Sequence, residues 1–311
     1  MDESACEPPE PRALRVPASG GLALQLLEWD RPGASRARPT LLFHHGFGHS
    51  GRIWDPFARA LCARYRVLAL DARGHGGSDR DPQGRYLHRY FEADLLAVVE
   101  RLGLSQLALV AHSLGGYTAL RFLRRWRGRL ARLVLIETPA EIAAAAPEQE
   151  AAQEAEVLRR YRAALAERHA TAEGFAARLA RRHPQAEPQR LLALARAWLA
   201  PDGAGGFVSR LDPETLRPKQ HEHPESGAPL SRRDWAAAES AYIWQCLDAI
   251  RAPLLVVRGA ESPLFPPEVQ ARMLAGRPER RAAVVPRAGH VVMLDAEAAL
   301  AALLLDFLAA D

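Results

Sequence analysis

The feature that most constrains this chain is a regular exchange of short apolar runs with segments of helical period. Thr40 to His44, Tyr65 to Asp71, Gln106 to His112 and Leu130 to Glu137 are runs of strand length. Between them, Ile53 to Ala63, His88 to Leu102 and Gly116 to Trp126 carry apolar residues at helical spacing. Continuous rather than alternating apolar character, clearest in Leu130 to Glu137, is what a parallel strand needs when both of its faces are covered. Successive strand-helix units of this kind predict an α/β fold with a doubly wound, mostly parallel sheet. Leu22 to Trp29 alternates after a Gly-Gly turn and reads as an antiparallel edge strand leading into the sheet.

The rhythm stops at about Pro139. Up to Arg233 the strand signal is replaced by Ala-, Glu- and Arg-rich stretches of helical character, Glu148 to His169, Ala172 to His183 and Pro188 to Leu199, and by loops such as Asp202 to Gly206. The run Ala143 to Ala146 reads as helical filler or a hinge. A helix over Trp235 to Ile250 precedes the resumed pattern: strand Pro253 to Arg258, helix Pro267 to Ala275, strand Ala282 to Pro286 and closing helix Asp295 to Leu308. The expected organisation is a disordered acidic, proline-rich tail over 1–12, an α/β core over 13–138 and 234–311, and a helical insertion over 139–233. Such an insertion belongs at the carboxyl ends of the strands, where ligands bind in these sheets, so it is expected to cap the active site.

Charge argues against a polyanionic partner. Lys and Arg number 41 against 37 Asp and Glu, a net charge of +4, with Lys219 the one lysine. The cluster Arg121, Arg124, Arg125, Arg127 and Arg129 lacks interleaved aromatics and reads as a solvated helix face rather than a nucleic-acid patch. No apolar run approaches the roughly 18 residues of a membrane span, and the first residues lack the order of a signal peptide, so a cytoplasmic location without membrane contact is expected. Cys6, Cys62 and Cys246, far apart and odd in number, are expected to be reduced thiols. His221 and His223 form an H-x-H pair, but no carboxylate or cysteine set at ligand spacing completes a metal site; neither a metal nor a cofactor is expected.

The segment Val110-Ala111-His112-Ser113-Leu114-Gly115-Gly116 places a serine between a strand and a helix, with small residues two positions to either side. That is the pattern of a nucleophile elbow. A serine hydroxyl needs a base within hydrogen-bond reach, and Ala288-Gly289-His290, after the final strand, supplies one. The developing oxyanion needs backbone donors. Leu114, at the start of a helix, and Phe47, in His44-His45-Gly46-Phe47-Gly48, are the candidates. His45 is expected to hold its own loop together rather than to act in catalysis.

Together with Asp71-Ala72-Arg73-Gly74-His75-Gly76-Gly77-Ser78, these segments resemble the α/β-hydrolase superfamily over about Leu22 to Leu308. Within that resemblance Asp71 and Arg73 belong to a structural turn. The commonest arrangement places the triad acid three positions past Gly259, where this chain has Ser262; Glu261 lies one position early. Another subset, the haloalkane dehalogenase-like proteins among them, takes the acid from the end of the preceding strand, which here is Glu137. The resemblance therefore implies Glu137 as the acid, with Glu261 as the alternative. Dehalogenases and epoxide hydrolases of the superfamily carry aspartate at the elbow, unlike Ser113.

The implied activity is a serine hydrolase acting on a carboxylic ester or related acyl compound through an acyl-enzyme. Carbon–carbon bond hydrolysis of a vinylogous diketone and non-catalytic small-molecule binding are the alternatives, because one fold hosts many functions. A small apolar acyl substrate is expected. Trp235, Tyr242 and Trp244 are mostly packing residues, with one or two lining its pocket.

Overall fold

The computed structural model describes residues 10–30, 38–142, 165–217 and 221–309, together with 156, 159, 162 and 163. Eight strands form one sheet: β1 (Arg12–Pro17), β2 (Ala23–Trp29), β3 (Thr40–His44), β4 (Arg66–Leu70), β5 (Gln106–His112), β6 (Arg129–Ile136), and two late strands, Leu254–Gly259 and Arg280–Val285. A separate hairpin, β7 (Leu199–Pro201) with β8 (Phe207–Ser209), intervenes, so the late strands are β9 and β10. The order across the sheet is β1-β2-β4-β3-β5-β6-β9-β10. Within this sheet β1 with β2 and β2 with β4 run antiparallel, and the other neighbouring strands are parallel.

Alternate side chains of one strand feed two cores. Leu41 and Phe43 join Val110, Val134 and Ile136 on one face, where they meet helices α1 (Asp55–Leu61) and the C-terminal helix Glu297–Ala309. Leu42 joins Leu109, Leu133 and Leu135 on the other, beneath α2 (His88–Arg101) and α3 (Leu114–Arg125). Each large apolar side chain buried in this way contributes about 1.5–3 kcal/mol against exposure.

The segment between β6 and β9 divides between these cores. Its helices α4 (Ala172–Arg182) and α5 (Pro188–Trp198) put Ala176, Leu179, Leu191 and Leu194 into the first. Its last helix, α6 (Arg232–Ala249), puts Ile243, Cys246 and Leu247 into the second. Three further helices among the described residues are α7 (Pro267–Leu274), α8 (Val292–Asp295) and α9 (Glu297–Ala309).

Three expectations need correction. The edge strand is β1, not Leu22 to Trp29: Arg12 pairs with Glu28 and both edges of β2 are occupied, so the chain is in the sheet from Arg12 onward. The strand signal does not vanish over 139–233, because β7 and β8 pair around Asp202, whose carboxylate accepts from the Ala204 and Gly206 amides. Strands of three residues are too short to show a period. The arginine cluster is not uniformly a solvated face either. Arg121 is buried against Glu239, at 2.5 Å.

Cys62 and Cys246 are buried free thiols. The expectations for Cys6, Lys219 and Ala143 to Ala146 fall outside the described residues, as does most of the helix expected over Glu148 to His169. Among the described residues no helix is long and apolar enough to cross a membrane.

Candidate active site

The chain leaves β5 through a turn so sharp that Ser113 adopts φ 50° and ψ −115°. A non-glycine residue there stores strain of order 1–3 kcal/mol, which the surroundings must enforce. They do so from both sides. The Ser113 amide donates to the carbonyl of Ile136 on β6, and the Ser113 carbonyl accepts the Tyr117 amide in the first turn of α3. The turn tolerates less than its sequence suggested: even a methyl group at Gly115 would lie 2.5 Å from the carbonyl oxygen of His44. Ser113 stands at the N-cap position of α3 without capping it. Its Oγ instead lies 3.1 Å from His290 Nε2.

Glu137, one residue past β6, repeats the backbone device with φ 51°. Its amide donates to Val257, and its carboxylate, buried beneath the histidine, accepts three hydrogen bonds. Oε1 takes the Gly259 amide at 2.7 Å; Oε2 takes the Ser262 hydroxyl at 2.5 Å and His290 Nδ1–H at 3.0 Å. A carboxylate on Nδ1 fixes the tautomer in which Nε2 carries the lone pair, aimed at the serine hydroxyl. Glu261, the alternative acid, is exposed, while its amide donates to the Ala288 carbonyl. Sequence reasoning noticed Ser262 only for not being an acid. It is the hydroxyl partner of Glu137.

Phe47 and Leu114 come to the serine from two directions. A Cβ placed on Gly46 would sit 3.2 Å from the Ser113 Cβ and 2.4 Å from His112 Nδ1, so only glycine lets this loop pass so close. Gly48, at φ 78°, then turns the chain away. Leu114 begins α3, where first-turn amides have no intrahelical acceptor and the helix dipole favours negative charge.

His45 holds this loop to the next. Its Nε2 accepts the Ala72 amide at 3.0 Å and its Nδ1–H donates to the Gly46 carbonyl at 2.8 Å. Asp71 accepts from the amides of Gly51 and Gly77, and Arg73 is buried between Asp81 and Asp94. Burial pushes His44 down to about 4, and pushes His45 and His112 well below the ordinary imidazole value, so these rings are neutral.

A cavity of about 970 Å³ begins at Phe47 and Leu114 and runs between α2, α3, α6 and the turn around residues 221–227. Its lining is mixed rather than the apolar one that a small apolar acyl substrate calls for. Phe91, Trp235 and Tyr242 contribute aromatic surface, while Arg121 with Glu239, Arg125 with Glu92 and Arg89 with Glu222 form ion pairs around it. Of the three, only Arg121 and Glu239 are both buried, and charges that poorly hydrated must be paired. Arg121 also lies 4.6 Å over the ring of Tyr242.

Trp235, Glu239 and Tyr242 share one helical face and line the cavity; Trp244, roughly 200° round the helix from Tyr242, does not, and packs under Arg272. His221 stacks on Trp235 at 4.8 Å, and His223 Nδ1 accepts the amides of Glu225 and Ser226. Among the described residues no group of three or more His, Cys, Asp or Glu side chains is arranged to hold a metal ion.

A family model described as alpha/beta hydrolase fold matches residues 39–297. A 3-hydroxybutyrate-oligomer hydrolase of Cupriavidus necator is 29% identical over 270 residues, which cover 85% of this chain and 85% of that protein. A non-heme haloperoxidase of Rhodococcus erythropolis is 40% identical over 123 residues, 39% of this chain and 42% of its own. Among solved structures, E-2-(acetamidomethylene)succinate hydrolase superposes with a TM-score of 0.75 at 23% identity, covering 96% of this chain and 100% of that one.

Proposed function

The chain belongs to the α/β-hydrolase fold family and is a hydrolase, and from that premise we propose that it cleaves carboxylic esters through an acyl-enzyme on Ser113. The observation that carries this reading is the continuous path from Ser113 Oγ through His290 to the buried Glu137 carboxylate. In the proposed cycle Ser113 Oγ attacks the ester carbonyl carbon while His290 Nε2 accepts its proton. Glu137 holds the ring and stabilises the imidazolium without itself being protonated.

The amides of Phe47 and Leu114 receive the oxyanion; loss of one such donor elsewhere costs about 2.7–4 kcal/mol of transition-state stabilisation. Collapse of the tetrahedral species breaks the ester C–O bond, and the proton on His290 passes to the departing alcohol. Water, deprotonated by the same ring, then attacks the acyl-enzyme carbonyl and returns the serine.

Of residues 139–233, Thr215, Arg217 and the turn around residues 221–227 act in this reading as a cap. The mixed lining of the cavity favours an ester that carries polar groups along an apolar frame over a plain hydrocarbon acyl chain. Arg121 lies seven residues beyond Leu114 on α3, roughly 10 Å along the helix axis, so a chain extending from the scissile carbonyl would meet it. An oligoester, such as the 3-hydroxybutyrate oligomers named for the Cupriavidus relative, has both features. It heads the substrate panel.

The test is turnover of p-nitrophenyl butyrate and of a 3-hydroxybutyrate dimer by wild type and Ser113→Ala, with the acyl adduct sought on Ser113 by mass spectrometry. Hydrolysis with a trapped adduct is the expected result. Turnover of vinylogous diketones with no ester hydrolysis, or a bound ligand with no turnover, would replace this reading by another.

A further inference from the structure

His290 sits on the short connection between β10 and α8, and a backbone group on either side of it, the Gly289 amide before and its own carbonyl after, is held by a side chain. On one side, the Gly289 amide donates to Asp295 Oδ2 at 2.9 Å. On the other, the His290 carbonyl lies 2.9 Å from His112 Nε2, whose N–H it accepts.

Each of these holders is braced in turn by the segment between β6 and β9. His183, at the end of α4, donates from Nδ1 to Asp295 Oδ1 at 2.7 Å. Trp198, at the end of α5, stacks on His49 at 5.2 Å, and His49 stacks on His112 at 5.6 Å. The Trp198 indole N–H is fixed by Ser50 Oγ at 3.1 Å. Between the two routes, Arg190 of α5 donates to the carbonyl of Met293 at 2.8 Å and to that of Ile53 at 2.9 Å, joining the histidine connection to the chain that follows the Phe47 loop.

We infer that Asp295, braced by His183, is a positioning residue for His290, and that α4 and α5 serve catalysis by fixing the general base rather than by covering substrate. The inference rests on the proposed role of His290. Its physical basis is that the histidine must meet Ser113 and Glu137 simultaneously, at 3.1 and 3.0 Å. A displacement of about 1 Å in such a constellation can cost about 100-fold in rate. Asp295 and His183 are both largely buried, each with a side chain 15% exposed, so their bond is not competed away by solvent. In the proposed reading substrate occupies the cavity that begins at Phe47 and Leu114, and Asp295, His183 and Arg190 do not line it. Substitution there should therefore alter the turnover rate and leave substrate affinity alone.

The experiment compares wild type with Asp295→Ala, Asp295→Asn and His183→Ala. It reads kcat and KM on p-nitrophenyl butyrate, the rate of fluorophosphonate labelling of Ser113, and the low-field proton resonance of the His290–Glu137 hydrogen bond. Asp295→Ala is expected to lower kcat and labelling together by about 10- to 100-fold, with KM within about twofold and the resonance broadened or lost. Asp295→Asn keeps an acceptor for the Gly289 amide and should recover most of the loss. His183→Ala, which removes only the brace, should fall between, and it provides the answer if Asp295→Ala does not fold.

Wild-type labelling and an unchanged resonance in folded Asp295→Ala or His183→Ala would overturn the inference, as would a rise in KM at constant kcat. Failure of the wild-type enzyme itself to label at Ser113 would remove the catalytic reading and this inference with it. That result precedes any variant and is distinct from the others.

Discussion

At the floor of the site, β5 and β6 are each followed by a non-glycine residue at positive φ, Ser113 at 50° and Glu137 at 51°. The cavity wall formed by α3 and α6 is held differently, by a buried ion pair between ordinary helical side chains, Arg121 and Glu239. The floor is backbone geometry enforced by an apolar sheet; Ser113 and Glu137 cannot move without breaking strand ends. The wall is side-chain chemistry that could be exchanged with the helices left in place. In a fold that hosts many reactions, the proposed function assigns substrate selection to the wall and the reaction mechanism to the floor.

The largest expected effect strikes the floor alone. Ser113→Ala should reduce kcat by about 10⁶-fold, by analogy with removal of a triad serine elsewhere, with thermal stability unchanged, because alanine keeps the Cβ at the same positive φ. Steady-state kinetics with a melting curve would check both halves; residual turnover above a hundredth of wild type would break the comparison. Next is the wall. Arg121→Met leaves Glu239 buried without a partner and should cost about 3–5 kcal/mol of stability, most of it recovered in the double variant with Glu239→Leu. Urea unfolding of the single and double variants measures this.

Acid should weaken the floor. His44, His45 and His112 have folded-state values depressed by burial, whereas unfolded histidine titrates near 6.5. Above that pH neither state is charged and no stability is at stake. As pH falls from about 6.5 toward 4, the unfolded chain takes up protons that the folded rings refuse, and stability is lost. Asp55, raised to about 6 by burial, and Asp71, raised by the same cause, act in the opposite sense over this range. The expected net loss is roughly 1 to 3 kcal/mol per pH unit. Urea midpoints at pH 7 and pH 5 would reveal it, and equal midpoints would contradict it.

The smallest effect separates two tryptophans of one helix. Trp235→Ala should raise KM by about tenfold with kcat nearly constant, as expected for loss of uniform binding, whereas Trp244→Ala should leave KM unchanged. Equal effects on KM would erase the boundary drawn for the cavity.

The floor was legible in the sequence because its constraints are local. A strand, a serine flanked by Ala111 and Gly115, and a helix must lie in that order for the turn to close, and Glu137 stands directly at a strand end. The wall was not legible, because Arg121 and Glu239 are 118 residues apart. Nothing local distinguishes that arginine from its exposed neighbours in the cluster. Ser262 fell between the two cases: its position was conspicuous for lacking an acid, but its hydroxyl bond to Glu137 depends on β6 and β9 lying side by side. The strand Arg12–Pro17 was hidden by its arginines and terminal proline, one of which pairs with the buried Glu28.

In the proposed site Ser113 is activated by a histidine oriented from Glu137 rather than from Glu261. Fluorophosphonate labelling, mapped by mass spectrometry and timed in wild type, His290→Ala, Glu137→Gln and Glu261→Gln, tests it most directly. Label on Ser113 that is abolished by His290→Ala, slowed by about 10⁴-fold in Glu137→Gln as for the wrong histidine tautomer, and unchanged in Glu261→Gln is the predicted result. Rapid labelling of Glu137→Gln, or no label on wild-type Ser113, would contradict it.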